Sequence, residues 1–121
     1  MLRNLEAGKK NAKLAGVDKL VGFSKVETDW LDTKLDARKI DLVISKIPCP
    51  SNHYPESDAR KIYKELFYQS EFFMKKKGRM VLMAENLTLF KEMVTKDFKI
   101  IGEDQLYSGK QALDVVIIEK N

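Results

Sequence analysis

The order of elements predicts an α/β fold, in which strands alternate with helices and an antiparallel hairpin closes the chain. Residues 40–45 (Ile-Asp-Leu-Val-Ile-Ser) are nearly continuous in aliphatic side chains, the pattern of a strand covered on both faces. Residues 57–76 carry a long helical stripe. Residues 98–107 and 113–118 are two strand-like runs separated by a short stretch containing Ser108, Gly109 and Lys110, which is hairpin spacing. Strands joined through helices imply parallel pairing, so the sheet is expected to be mostly parallel, with helices on its faces and only the last pair antiparallel.

Taken in order, residues 2–15 form a weakly amphipathic helix with Leu5, Ala7, Ala12 and Leu14 apolar, and Gly16 stands where a C-cap glycine belongs. Leu20, Val21, Phe23 and Val26 predict a short strand over residues 20–26. The acidic, polar stretch 27–36 ends it, with Trp30 and Leu31 packing a short helix or turn. Pro48 and Pro50 stop the strand at residues 40–45, since proline cannot donate to a ladder. In the helix at 57–76, Ala59, Tyr63, Leu66, Phe67, Ser70, Phe73 and Met74 share one face. Lys75, Lys76 and Lys77 suit the negative end of its dipole, and Gly78 terminates it. Residues 79–83 read as a strand and 87–96 as a short helix.

At 121 residues, with 44% hydrophobic and 33% charged side chains, the chain fits one α/β domain over residues 1–121. No apolar run is long enough for a membrane span and no signal-peptide core begins the sequence, so no membrane partner is expected. Cys49 is the single cysteine, which excludes an internal disulfide framework and suits a reducing, cytoplasmic setting. One histidine, His53, argues against a His-based metal site or a Ser/His/Asp triad, and no metal is expected. The net charge of +4 is a mild pointer to anionic partners such as RNA. It is concentrated between Arg60 and Arg79, where seven basic residues face two acidic ones.

Several local sequences resemble the second half of the Rossmann-like S-adenosylmethionine-dependent methyltransferases. Residues 11–17 (Asn-Ala-Lys-Leu-Ala-Gly-Val) look like the helix end after the family's second strand. Asp29 follows the next strand, where the family places an acid facing the adenine ring, and Trp30 beside it would border the same pocket. Residues 40–50 (Ile-Asp-Leu-Val-Ile-Ser-Lys-Ile-Pro-Cys-Pro) look like the strand carrying the family's Asp/Asn-Pro-Pro-aromatic motif. Among its members the chain is most similar to the RNA guanine-N2 methyltransferases, including tRNA enzymes that carry a THUMP domain, and the likeness covers most of the chain.

The resemblance implies S-adenosylmethionine as cofactor, bordered by Asp29, Trp30 and Ser45. It places Lys46, Pro48 and Cys49 at the motif's catalytic positions, and Ile47, Asn52 and Tyr54 along the target pocket. In the family, the Asn or Asp and a proline-fixed carbonyl accept hydrogen bonds from a base's exocyclic amine, aim it at the sulfonium methyl, and so work by positioning. The base is splayed out to reach them.

This chain departs from the pattern at the motif. Lys46 stands for the Asn/Asp, Cys49 for the aromatic residue and Pro50 for the glycine. A lysine has three donors and no acceptor, so it cannot hold the amine's protons. No glycine-rich turn of the Rossmann kind occurs anywhere in the sequence, and the family's first two strands have no counterpart. Strand 20–26 is therefore expected to pair directly with strand 40–45 unless a partner fills the gap. Three readings follow. One is an incomplete RNA methyltransferase, inactive by itself, that needs an N-terminal half or a second copy. Another is a non-catalytic RNA- or protein-binding module on the same fold. The third is a small α/β nucleotide-binding domain of another kind.

Overall fold

The computed structural model describes residues 2–24 and 28–121. In chain order the elements are α1 (Leu2–Leu14), a 3-10 turn (Thr28–Trp30), α2 (Leu31–Lys34), β1 (Ile40–Lys46), α3 (Glu56–Phe73), β2 (Met74–Ala84), α4 (Thr88–Glu92), β3 (Phe98–Ser108) and β4 (Gln111–Lys120). The four strands make one sheet in the order β1-β2-β4-β3. β1 runs parallel to β2 through the α3 crossover. β4 is antiparallel to both β2 and β3. The α/β class and the terminal hairpin stand, and the sheet is mixed, with parallel pairing confined to β1 and β2.

Sequence patterns account for these elements. α1 ends in a Schellman motif: Val17 N–H donates to Ala12 C=O at 2.9 Å and Gly16 N–H to Lys13 C=O at 3.1 Å. Gly16 holds the φ of 76° that this requires. The hairpin turns through Gly109 at φ 64°, again a conformation glycine takes without strain. α3 lays Ala59, Tyr63, Phe67, Ser70 and Phe73 onto Met80, Leu82, Val116 and Ile118 of the sheet. Phe90 completes this core, edge-on to Tyr63 at 5.1 Å and stacked on Phe67 at 5.0 Å, geometries that aromatic quadrupoles favour.

Three expectations are corrected. Residues 20–24 are turn and irregular backbone, not a strand, and 25 and 26 lie outside the described residues. Leu20 is 84% exposed, Phe23 packs on α1 beside Gly8, and no ladder joins residues 20–24 to β1. A strand needs a neighbour, and these residues have none among those described. Second, α3 stops at Phe73, and Lys75, Lys76 and Lys77 enter β2 through an irregularity in its pairing with β1, where Lys77 adopts φ 67°. Lysines at the C-terminus of a helix are a sequence signal; here the fully buried Lys120 performs that role. Its ammonium donates to the carbonyls of Glu71 and Met74, closing the end of α3 from the last strand. Third, α4 is one short turn, Thr88–Glu92, and not residues 87–96. Among the described residues no helix is long and apolar enough to cross a membrane.

Candidate functional site

In an open α/β sheet the crevice beyond the carboxyl ends of the parallel strands is where ligands bind. Here that crevice lies past Lys46. The ladder to β2 continues one residue further, Ile47 N–H donating to Met83 C=O at 2.8 Å, and the chain then turns across the top of α3. Pro48 is held there by the Tyr63 hydroxyl, which donates to its carbonyl. Burial, with Cys49 and Tyr54 nearby, pushes the Tyr63 phenol up to about 12, so it remains a donor throughout the physiological range. Residues 51–54 form a tight turn, with Ser51 N–H bonded to Tyr54 C=O at 2.9 Å and His53 N–H to Ser51 Oγ at 3.2 Å.

The other wall comes from the 3-10 turn and α2. Gln69, on α3 and 1% exposed, uses both ends of its amide to fix that wall. Its Nε2 donates to Asp29 C=O at 3.1 Å and to Glu65 Oε1 at 2.9 Å, while its Oε1 accepts from Asp32 N–H at 2.9 Å. Thr33 Oγ1 adds a bond to Trp30 C=O at 2.6 Å.

Two adjoining cavities result, sharing Thr28 and Ile62. The inner one, about 140 Å³, is lined by Ser45, Lys46, Ile47, Pro48, Tyr63 and Leu66 besides those two. The outer one, about 360 Å³, adds Asp29, Tyr54, Asp58, Lys61 and Glu65. Three carboxylates against one ammonium make it an acidic vestibule suited to a cationic or hydroxyl-bearing ligand.

The structure therefore brings Asp29, Ser45, Lys46, Ile47, Pro48 and Tyr54 to one place. Ile47 contributes little surface there, being 8% exposed and part of the core. Cys49 is a half-buried free thiol packed against the same core. Trp30 is 59% exposed and lines neither cavity, nor does Asn52, exposed in the 51–54 turn. Thr28, Asp58, Lys61, Ile62 and Glu65 are additions that only the fold reveals. Gln69 could have been suspected as a large polar residue beside the apolar stripe of α3, although nothing local says what it binds.

A family model described as UPF0020, RMKL-like methyltransferase domain, matches residues 2–111. The chain belongs to this family. No curated protein matches it in sequence. Among solved structures it is similar to TrmN from Thermus thermophilus, with a TM-score of 0.83 and 15% identity over 100% of this chain and 34% of that one. It is also similar to a possible methylase from Clostridium difficile 630, with a TM-score of 0.73 and 16% identity over 97% of this chain and 29% of that one. These likenesses establish a methyltransferase fold. The chain spans about a third of the length of the structures it matches.

Proposed function

We propose that the chain is part of an S-adenosylmethionine-dependent methyltransferase acting on RNA, tRNA in particular, and that by itself it does not transfer a methyl group. One observation carries this reading. In a chain whose residues 2–111 match a methyltransferase domain, the wall bearing Asp29 and the segment Ser45, Lys46, Ile47, Pro48 close on the same pair of cavities at the end of β1.

The residues present fit the cofactor only in part. Asp29 offers a carboxylate to adenosine hydroxyl or amino groups, and Asp58 and Glu65 give a field that favours a sulfonium. The close backbone cradle that a glycine-rich turn provides has no equivalent in the sequence, and Lys46 brings donors where a target amine needs acceptors. No transfer step is derived for this chain. An N-terminal methyltransferase half is the partner that would supply the cradle, in the cytoplasm, where Cys49 stays reduced. Titration calorimetry with S-adenosylmethionine is the test. Weak or no binding by the isolated chain, and no radiolabelled methyl transfer to tRNA, is expected. Micromolar binding with turnover would refute the proposal.

Lys46 favours a second reading, a non-catalytic module that binds RNA or protein on the same fold. RNA binding in a filter assay that is unaffected by S-adenosylmethionine would favour it over the first.

A further inference from the structure

Charge is unevenly placed on this fold. β1 and β2 start at one end of the sheet, where β4 finishes and β3 begins. Segments 36–41, 75–79, 96–99 and 119–121 meet there and hold nine basic residues against four acidic ones. That local excess is larger than the net +4 of the whole chain, so the remainder is slightly acidic. The two cavities lie at the opposite end of β1, beyond Lys46, about 20 Å away at 3.3 Å per strand residue.

The basic end is built by a bulge. Ile40 pairs with Met74 and Leu42 with Arg79, so Lys75, Lys76, Lys77 and Gly78 stand against Asp41 alone. Gly78 packs tightly on the Lys75 and Ile40 carbonyls, and the three lysines of the bulge are exposed. Arg38 and Lys39 lie beside them, their N–H groups donating to Phe72 C=O at 3.1 Å and Phe73 C=O at 2.9 Å. Lys77, Arg79 and Lys99 share one carboxylate, Glu119, at 4.0, 3.2 and 3.6 Å, which leaves two of those charges unneutralised. Lys75 lies 3.9 Å from Asp41, an exposed pair that holds weakly. The backbone adds an independent sign. Among the described residues the non-glycine positions with positive φ are Arg38 at 55° and Lys77 at 67°, and both sit here. Glycine or asparagine takes that conformation at lower cost, so cations stand where folding alone favours other residues.

We propose that this end of the sheet, centred on the Lys75–Lys77 bulge and Arg38, grips the phosphate backbone of RNA at a distance from the candidate cavities. The proposal rests on the reading that the chain acts on RNA, and adds where the body of that RNA is held. Lysine and arginine side chains in this arrangement offer charge and donors with no base-reading geometry, the chemistry of sequence-independent phosphate contacts driven by counterion release. Such a contact positions a folded RNA while one of its nucleotides reaches the other end of β1. Within the four segments no large apolar side chain is exposed, so nothing there would insert into a lipid surface.

Fluorescence anisotropy with a labelled RNA hairpin, on the full 121-residue chain without S-adenosylmethionine and across a salt series, tests this. Binding is expected, with affinity falling linearly in log salt. The triple variant Lys75→Gln, Lys76→Gln, Lys77→Asn, in which asparagine suits the positive φ, should weaken binding about tenfold or more near 100 mM salt. Its salt slope should be shallower by about 2–3, since each lost duplex contact removes about 0.9. Arg38→Asn, on the other strand, should lower the slope by about 1 with an unchanged circular dichroism spectrum. Removing equal charge from α1, with Lys9, Lys10 and Lys13 all changed to Gln, should leave affinity near that of the parent chain. Equal weakening by the α1 variant would mean that net charge alone binds RNA, and would overturn the proposal. RNA binding indifferent to the bulge and Arg38 variants would overturn it while leaving the RNA reading in place. No RNA binding at low salt, or binding to phosphatidylserine vesicles in place of RNA, would also overturn it. No cofactor or transfer step enters the assay, so the methyltransferase reading stands or falls separately on calorimetry.

Discussion

Replacing Gln69 with leucine should release one wall of the site while leaving the core standing. The buried amide makes three hydrogen bonds. The bond to Glu65 is to a carboxylate within reach of water, so its loss costs little. The other two, to Asp29 C=O and from Asp32 N–H, are partly buried main-chain groups. A net bond is worth about 1 kcal/mol, and a buried group left without a partner costs about 1–3 kcal/mol. Partial access to water puts the pair near the low end, about 2 kcal/mol together. Leucine keeps much of the volume, so the packing of α3 changes little. If the loss is local, opening of residues 28–34 becomes about 30-fold more favourable, since 1.4 kcal/mol is a factor of ten. Native-state hydrogen exchange reads this directly: the Asp32 amide should exchange about 30-fold faster while those of Val116 and Ile118 in β4 keep their rates. An unchanged Asp32 rate would refute the clamp. Equal acceleration in β4 would show that Gln69 supports the whole fold and not the wall.

Three further outcomes are expected. Tyr63→Phe removes the donor to Pro48 C=O and should remove a phenol that titrates near 12, seen as a difference in ultraviolet titration. Because the folded value lies above the ordinary 10, this group's stabilisation is intact below 10 and declines as pH rises from there to about 12. Glu119 is partly desolvated, which opposes its ionisation, yet the hydrogen bond from Arg79 and the charges of Lys99, Arg79 and Lys77 hold its carboxyl below the ordinary range. Its stabilisation is therefore present above the ordinary carboxylate value and lost as pH falls through the lowered one, so Glu119→Gln should flatten the acid limb of a stability–pH curve, with less effect in high salt. Gly78→Ala should cost about 1–3 kcal/mol in urea unfolding, because a Cβ there would meet Lys75 O at 2.9 Å and Ile40 O at 3.3 Å, both main-chain atoms.

What the sequence made legible follows the range of the forces involved. The β1–α3–β2 unit could be read because aliphatic continuity, a helical stripe and two prolines are local signals that tertiary packing then reinforces. The end of α3 could not be read, because Lys75 to Lys77 give a local signal for a helix terminus while the decisive group, the Lys120 ammonium, lies in the last strand. Residues 20–24 misled for a related reason. Alternating apolar residues state only a willingness to pair, and pairing needs a neighbour the described chain does not provide. At the site, Asp29 and the segment from Ser45 to Pro48 were nominated by likeness to a motif and do converge. Asp58, Lys61 and Glu65 read as solvated positions on α3, and only the 3-10 turn folding beside them makes them a wall of the outer cavity.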